Sequence, residues 1–337
     1  MTDKFNKNYQ YRPKRPLLIK DIVNGIKNGD KTILSRSITL LESKNFNERQ
    51  LIYKALKDLA IVKSSSFRIG ITGSPGVGKS TFIESIGQYL GTKGKKVAVL
   101  AIDPSSNKTG GSILGDKTRM ENLSTMDNVF IRPSPSKGEL GGVAEQSYET
   151  ILLCEKAGYE IILVETVGVG QSETHVKELV DFFLLLMLAG AGDELQGIKR
   201  GIMELADGIL ITKADSGNEK NAQNACLSYQ NAMRLFPENK NKWFPEVLTC
   251  SSLENKGIEN TWNLMNKFRE LYLSNGWLEK NRYKQNQFWF FEKLDQFIKD
   301  NFYSNKNIQN AVKKMQSKVT NGEIDPYNAA LEIFKTV

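Results

Sequence analysis

One segment of the sequence has the composition and spacing to hold the phosphates of a nucleotide. Glycines alternate with small residues over Gly73–Gly78, and Lys79 and Ser80 follow directly. Glycines let successive backbone N–H groups turn towards phosphate oxygens, and a helix that begins there adds partial positive charge. We expect Lys79 to bridge the β- and γ-phosphates and the Ser80 hydroxyl to bind Mg²⁺. The residues assigned to this phosphate site are Gly73, Ser74, Pro75, Gly76, Val77, Gly78, Lys79, Ser80 and Thr81.

A carboxylate at the end of a second apolar run predicts the metal side of the same site. The run Ile161–Val164 leads into Glu165, and Gly168 follows three residues later. Beside a phosphate loop, this pattern is typical of a Walker B strand followed by a nucleotide-sensing switch. We expect Glu165 to act at the magnesium ion, directly or through water, and the Gly168 N–H to contact the γ-phosphate.

Two further acids lie between these motifs. Asp103 ends the predicted second strand, and Asp116 stands in the glycine-rich stretch Gly110–Met120. Both could be ordinary turn residues, because Asp, Gly and Ser are common in loops. Both loops, however, leave from the nucleotide face, and a carboxylate on such a loop lets the γ-phosphate order a switch. The predicted metal-ligating residues are Ser80, Asp103, Asp116 and Glu165.

A short motif at the end of a later strand predicts base recognition. It consists of Thr212, Lys213 and Asp215, and Ser251 is assigned to the same nucleotide site. A carboxylate at Asp215 can accept hydrogen bonds from N1–H and the exocyclic amine of guanine, which adenine does not offer. The lysine stem is expected to cover the ring. The usual GTPase motif begins with Asn, and this chain has Thr212 instead.

The elements that would position these residues form an α/β fold. Seven short apolar runs separated by helix-length segments predict a mainly parallel P-loop NTPase sheet, covered by helices on both faces. Ligands of such sheets bind at the carboxyl ends of the strands, where all the motifs above fall. The predicted strands are Arg68–Thr72, Val97–Ile102, Val129–Arg132, Ile161–Glu165, Phe182–Leu188, Gly208–Thr212 and Glu246–Thr249.

Helical patterns flank this central region, so three parts are predicted. Residues 1–64 form an N-terminal helical extension, 65–255 a nucleotide-binding domain, and 256–337 a C-terminal helical arm. The arm is rich in aromatic residues, which either complete the core or form a dimer contact, since aromatics are favoured at interfaces. The aromatic cluster comprises Trp262, Trp277, Phe288, Trp289, Phe290, Phe291, Phe297 and Phe302.

The composition of the chain indicates which binding partners and which cellular compartment to expect. The net charge of +8 is spread along the chain without an arginine-rich block, so a solvated basic surface is expected and nucleic acid is not. Cys154, Cys226 and Cys250 are far apart, which favours a reducing cytoplasm over a disulfide framework. The most apolar run, Phe182–Ala189, is far shorter than the roughly twenty residues of a membrane span. A cytoplasmic protein without a membrane partner is expected.

Several longer strings resemble the MeaB/ArgK subgroup of P-loop GTPases, which are chaperones of adenosylcobalamin-dependent acyl-CoA mutases. The resemblance extends from about Ile19 to Leu271, and more loosely to the C-terminus. It implies a GTPase that binds Mg²⁺ and GTP or GDP, serves an acyl-CoA mutase and forms a homodimer through its C-terminal arm. The strings are Asp103–Ser106, Gly110–Met120, Ile131–Ser136, Val164–Glu173 and Gly190–Lys199.

The resemblance also implies roles for single segments. Gly110–Met120 matches a first switch, Gly168–Glu173 a second, and Gly190–Gly201 a third that responds to the mutase. Asp193 and Lys199 are the charged members of that third switch. The implied catalytic residues are Lys79, Asp103, Asp116, Glu165, Gly168 and Lys199.

Three alternative functions fit the sequence less well. An ATP-using kinase of amino-acid transport binding proteins is disfavoured by Asp215, which selects guanine. A metal-insertion GTPase for nickel enzymes would carry Cys/His motifs, whereas this chain has one histidine and scattered cysteines. A protein-targeting GTPase would need a methionine-rich or membrane-docking appendage.

Overall fold

A computed structural model gives the fold of the chain. It describes residues 15–43, 45–59, 65–103, 120–135, 146–166, 172–190, 200–236 and 243–335. The predicted Asp116, Gly168, Asp193 and Lys199 lie outside these ranges.

A seven-stranded sheet forms the centre of the described structure. Its strand order is β3-β2-β4-β1-β5-β6-β7, and every neighbouring pair is parallel. The predicted strands are therefore confirmed. The sequence predicted a mainly parallel sheet, and in the structure every pair of neighbouring strands is parallel. The strands are β1 (Phe67–Gly73), β2 (Val97–Asp103), β3 (Val129–Pro135), β4 (Ile161–Thr166), β5 (Phe182–Leu188), β6 (Gly208–Thr212) and β7 (Glu246–Thr249).

Near-continuous apolar runs make the central strands, because helices cover both faces of the sheet. Every residue of β1 and of β6 is buried, and β5 is buried as far as Met187. A chain that alternates such runs with helices returns each strand in the same direction. All carboxyl ends therefore meet at one edge of the sheet.

At the opposite edge, where the strands begin, two aspartates bind backbone N–H groups of neighbouring strands. Asp181, just before β5, accepts a hydrogen bond from the Arg68 backbone N–H at 2.9 Å, and Asp207, just before β6, accepts one from Phe183 N–H at 2.8 Å. Burial raises the pKa of Asp207, and its ion pair with Lys177 opposes that shift. Each carboxylate thus joins the start of one strand to its neighbour.

Helices occupy the connections between strands and both flanks of the chain. The described part of the N-terminal region contains three helices, and Asp30 caps the second of them, α2 (Lys31–Leu41), by accepting the Thr32 N–H at 2.8 Å. In the described part of the chain, no helix combines the length and apolar character that a membrane crossing requires. The helices are α1 (Ile19–Lys27), α2 (Lys31–Leu41), α3 (Phe46–Asp58), α4 (Lys79–Thr92), α5 (Glu121–Ser124), α6 (Ser147–Lys156), α7 (Ser172–Lys177), α8 (Arg200–Leu205), α9 (Glu219–Met233), α10 (Ile258–Ser274), α11 (Trp277–Ser304), α12 (Lys306–Thr320) and α13 (Pro326–Phe334).

The chain divides into two compact units, one up to Leu278 and one from Glu279 onwards. The aromatic cluster of the predicted arm has members in both units. Trp262 is buried in the core of the first unit, and Trp277 packs against that core. In the second unit Trp289 is buried, whereas Phe290 and Phe291 are 61% and 53% exposed. Core completion therefore accounts for only part of the cluster.

A buried ion pair connects β1 to α6. Arg68 Nε lies 2.8 Å from Glu155 Oε1 and Nη2 lies 3.0 Å from Oε2, and the two side chains are 5% and 3% exposed. Removal of one partner leaves a buried charge without compensation. We expect Glu155→Ala to lower the free energy of unfolding by about 3–5 kcal/mol, measured by chemical denaturation.

The matched control is Lys267→Ala, which breaks the exposed Lys267–Glu246 pair at 2.6 Å. That change is expected to cost less than about 1 kcal/mol. Equal losses in the two variants would contradict the burial argument.

Candidate nucleotide-binding site

The predicted phosphate loop connects the end of β1 to the start of α4. Gly78 has a φ of 100°, in the left-handed region that favours glycine, and is the N-cap of α4. At Gly73, a side chain would place its Cβ 2.5 Å from the Leu186 carbonyl oxygen of β5, so only glycine fits. The loop can therefore turn its amides towards an anion at the helix N-terminus.

Lys79 lies across this loop. Its Nζ donates to the carbonyl oxygens of Gly73 at 2.7 Å and of Ser74 at 3.2 Å. Burial lowers the pKa of Lys79, while the negative charge of Glu165 raises it. A partly buried ammonium whose hydrogen-bond partners are neutral carbonyls favours an anionic ligand.

Ser80 and Glu165, two of the predicted metal-ligating residues, are in contact beside the lysine. Ser80 Oγ donates to Glu165 Oε1 at 3.0 Å, which joins the first turn of α4 to the end of β4. Both groups offer the oxygen ligands that Mg²⁺ prefers, and a hydroxyl and a carboxylate in contact fit a magnesium ion shared with phosphate oxygens. The backbone of Asp103 ends β2, the strand next to β4, so it lies at the same edge of the sheet.

Thr212 is turned towards the phosphate loop. Its buried hydroxyl lies 2.6 Å from the Val77 carbonyl oxygen and 3.2 Å from that of Met187. One hydroxyl has one proton, and the shorter distance favours donation to Val77. Thr212 therefore connects β6 to the predicted phosphate loop.

Asp215 is positioned by Ser251. Ser251 Oγ lies 2.5 Å from Asp215 Oδ2 and itself accepts the backbone N–H of Glu254 at 3.1 Å. Because that N–H already supplies a proton to the serine oxygen, Ser251 donates its own to the carboxylate. Lys213, with a φ of 56°, is exposed next to Asp215. Of the residues predicted for the base site, the structure therefore brings Asp215 and Ser251 into direct contact.

A pair of hydroxyls at this edge was not predicted. Thr166 Oγ1 donates to Thr72 Oγ1 at 2.9 Å, and both side chains are buried. The pair joins β1 just before the phosphate loop to β4 just before the predicted second switch. Threonines at matching ends of two adjacent strands are the signal that could have identified it.

A second unpredicted group lies on α4. Glu84 Oε1 accepts the Leu123 N–H of α5 at 3.1 Å, and Ser85 Oγ lies 3.0 Å from the Ser252 carbonyl oxygen. Neither contact has a sequence signal, because Glu84 and Ser85 are ordinary helix residues whose partners lie 39 and 167 positions away.

Comparisons with known proteins found relatives that cover most of the chain. The family model described as "Methylmalonyl Co-A mutase-associated GTPase MeaB" matches residues 34–307. GTPase ArgK of Escherichia coli is 40% identical over 308 residues, covering 91% of this chain and 93% of its own length. A mitochondrial methylmalonic aciduria type A homolog of Mus musculus is 40% identical over 336 residues, covering 96% of this chain and 81% of its own length.

A solved structure also resembles the chain over most of its length. It is described as a LAO/AO transport system kinase and has a TM-score of 0.71 with 33% sequence identity. The match covers 94% of this chain and 97% of that protein.

The geometry at Asp215 generates a test of base choice. Asp215→Asn should weaken GTP binding roughly 10- to 150-fold, the effect of losing a hydrogen bond to a charged group. The same change should favour xanthosine triphosphate, whose C2 oxygen can accept from the new amide. Isothermal titration with GTP, ATP and xanthosine triphosphate measures the change. Asp58→Asn, on the exposed end of α3, is the matched control, and tight ATP binding by the unchanged protein would contradict guanine selection.

Proposed function

Because the chain belongs to the MeaB family of methylmalonyl-CoA mutase-associated GTPases, we propose that it is a GTP-hydrolysing chaperone of an adenosylcobalamin-dependent acyl-CoA mutase. Its partner is of the methylmalonyl-CoA mutase type. Nucleotide binding and hydrolysis gate the loading of that enzyme's cofactor and protect the loaded enzyme.

The nucleotide chemistry is supported by the cluster of Lys79, Ser80 and Glu165, which joins the start of α4 to the end of β4. Lys79 Nζ is 2.7 Å from the Gly73 carbonyl oxygen, within reach of phosphates held by the loop. There its charge stabilises the negative charge that develops on the transferring phosphoryl group. The loop amides and the N-terminus of α4 hold the remaining phosphate oxygens.

Magnesium fits the oxygen pair of Ser80 and Glu165. Ser80 would hold the ion directly, and Glu165 would act directly or through water, while Asp103 and Asp116 belong to segments that would respond to the nucleotide. When bound, the ion neutralises charge on the β- and γ-phosphates. Mg²⁺ usually keeps several waters, so the four side chains need not all bind at once.

Base selection separates this proposal from the ATP-using kinase. Ser251 donates to Oδ2 of Asp215, and this contact fixes the plane of the carboxylate. Guanine offers that carboxylate two N–H donors, and adenine offers none at the matching positions. The Asp215–Ser251 pair therefore supports GTP as the nucleotide.

The free, buried cysteines support a reducing compartment, which we take to be the cytoplasm. Burial raises the pKa of Cys250 to about 11, so its thiol stays protonated at neutral pH.

The partner proposal is tested by GTP turnover with and without an equimolar methylmalonyl-CoA mutase. The mutase should accelerate hydrolysis by the unchanged protein. In Lys199→Ala the ratio of stimulated to basal turnover should fall towards one, because Lys199 belongs to the segment that resembles a mutase-responsive switch. Lys79→Ala is the inactive control, since it removes the charge that stabilises the phosphoryl group. No acceleration and no co-purification would refute the mutase partner while leaving the GTPase in place.

A homodimer through the C-terminal arm is the second part of the proposal. Tyr283, Phe290 and Phe297 recur at seven-residue spacing on α11 and are 64%, 61% and 45% exposed. Leu294 extends the same stripe and is 41% exposed. A heptad-spaced apolar stripe suits packing against a second helix, which a second copy of the chain supplies.

Sedimentation of the full chain tests this proposal. The unchanged protein should sediment as a dimer, and Phe290→Glu combined with Phe297→Glu should sediment as a monomer, because two charges would be buried in the apolar contact. The control Lys299→Glu, also on α11, should remain dimeric. A monomer before any change would contradict the dimer.

A further inference from the structure

Helix α4 carries a polar stripe at four-residue spacing. Ser85 Oγ lies 3.0 Å from the Ser252 carbonyl oxygen, and Tyr89 OH donates to Glu259 Oε1 at 2.9 Å. Lys93 Nζ then donates to Tyr89 OH at 2.6 Å. Residues four apart lie on one face of a helix, so this face meets both the segment before α10 and its first turn.

The segment that Ser85 contacts is the one that orients Asp215. We define the base loop as Ser251–Gly257. It is closed by two backbone hydrogen bonds of 3.0 Å between Ser251 and Lys256. A loop closed in this way moves as a unit, so the position of Ser252 fixes that of its neighbour Ser251.

The hydrogen bond from Ser85 is directed at the base loop. Its hydroxyl lies 3.0 Å from the Ser252 carbonyl oxygen and 3.1 Å from that of Thr81, which is within α4. The Thr81 carbonyl already accepts the helical N–H four residues on, so the Ser252 carbonyl gains more from the donor. Ser85 is 8% exposed, so water competes little for this bond.

We propose that Ser85 is a positioning residue for guanine recognition, which holds the base loop at a fixed distance from the phosphate loop. It acts through Ser252 and Ser251 on the carboxylate of Asp215. The first turn of α4 supplies Lys79, so the helix that meets the phosphates also supports the base loop. The inference rests on the proposed guanine-nucleotide site.

A bound nucleotide must contact the phosphate loop and the base loop at the same time. Without the Ser85 bond, the base loop samples positions in which Asp215 misses the base, and the competent fraction of the protein falls. Apparent affinity falls by that same fraction, whereas the chemistry at Lys79 is unchanged once GTP is seated. A phosphate-only ligand does not depend on the base loop.

The test is steady-state hydrolysis by Ser85→Ala. KM for GTP should rise roughly 3- to 10-fold, the size of one lost hydrogen bond, with kcat unchanged. Selectivity for GTP over inosine triphosphate, which lacks the exocyclic amine, should fall. Inhibition by inorganic triphosphate should stay as in the unchanged protein. Ser85→Cys, which keeps a weak donor of similar size, should give an intermediate KM.

Ser228→Ala is the matched control, because Ser228 Oγ donates to the Asn224 carbonyl within α9 at 3.0 Å on an exposed face. It should leave KM and selectivity unchanged. An unchanged KM in Ser85→Ala, or equal losses for GTP and inorganic triphosphate, would overturn the inference. If Ser85→Ala fails to fold, Ser85→Cys decides, and an unchanged KM there overturns it as well. Failure of the unchanged protein to bind GTP would overturn the guanine site itself and the inference with it.

Discussion

The parallel pairing of β1 with both β4 and β5 is the constraint on which the site depends. Ile71 lies in register with Glu165 on one side, and Gly73 with Leu186 on the other. The first pairing places the carboxylate beside Ser80, the first residue after Lys79. The second brings β5 so close that only glycine fits at the start of the phosphate loop. A slip of one residue would reverse the faces of β1 and separate these groups.

The charged side chains at the amino ends of the strands have different partners from those at the carboxyl ends. At the amino edge, Asp181 accepts the Arg68 backbone N–H, while the Arg68 side chain pairs with Glu155 in a fully formed buried network. Such a network is costly to break and holds the strands in register. At the carboxyl edge, Lys79 donates to neutral carbonyls, and Glu165 accepts a hydrogen bond from Ser80. The rigid edge therefore supports the edge that carries the residues proposed for phosphate and metal.

The sequence was sufficient for the strands, and its motifs predicted the main residues of the candidate site. Strand runs such as Gly208–Thr212 are almost continuously apolar, the pattern typical of parallel strands that are buried on both faces. Ser80, Glu165 and Asp215 follow from motifs that lie at strand ends. The sequence could not predict where a side chain points. Thr212 was predicted for the base site, but in the structure its hydroxyl lies against the Val77 carbonyl of the phosphate loop. A buried hydroxyl takes the nearest acceptor, and only the packed backbone determines which one that is.

Helix α4 connects distant parts of the sequence. Its first turn follows the phosphate loop, Glu84 accepts the Leu123 N–H of α5, and Ser85 contacts the base loop. Residues 84 and 85 project about 100° apart around a helix, so α5 and the base loop are held on different faces. The segment leading into α5 contains the predicted first switch, and the base loop contains Ser251. α5 and the base loop therefore meet the same helix, and Thr212 adds a second connection, from β6 to the phosphate loop. In the proposed mechanism, phosphate sensing and base recognition are coupled through these two connections as well as through the nucleotide.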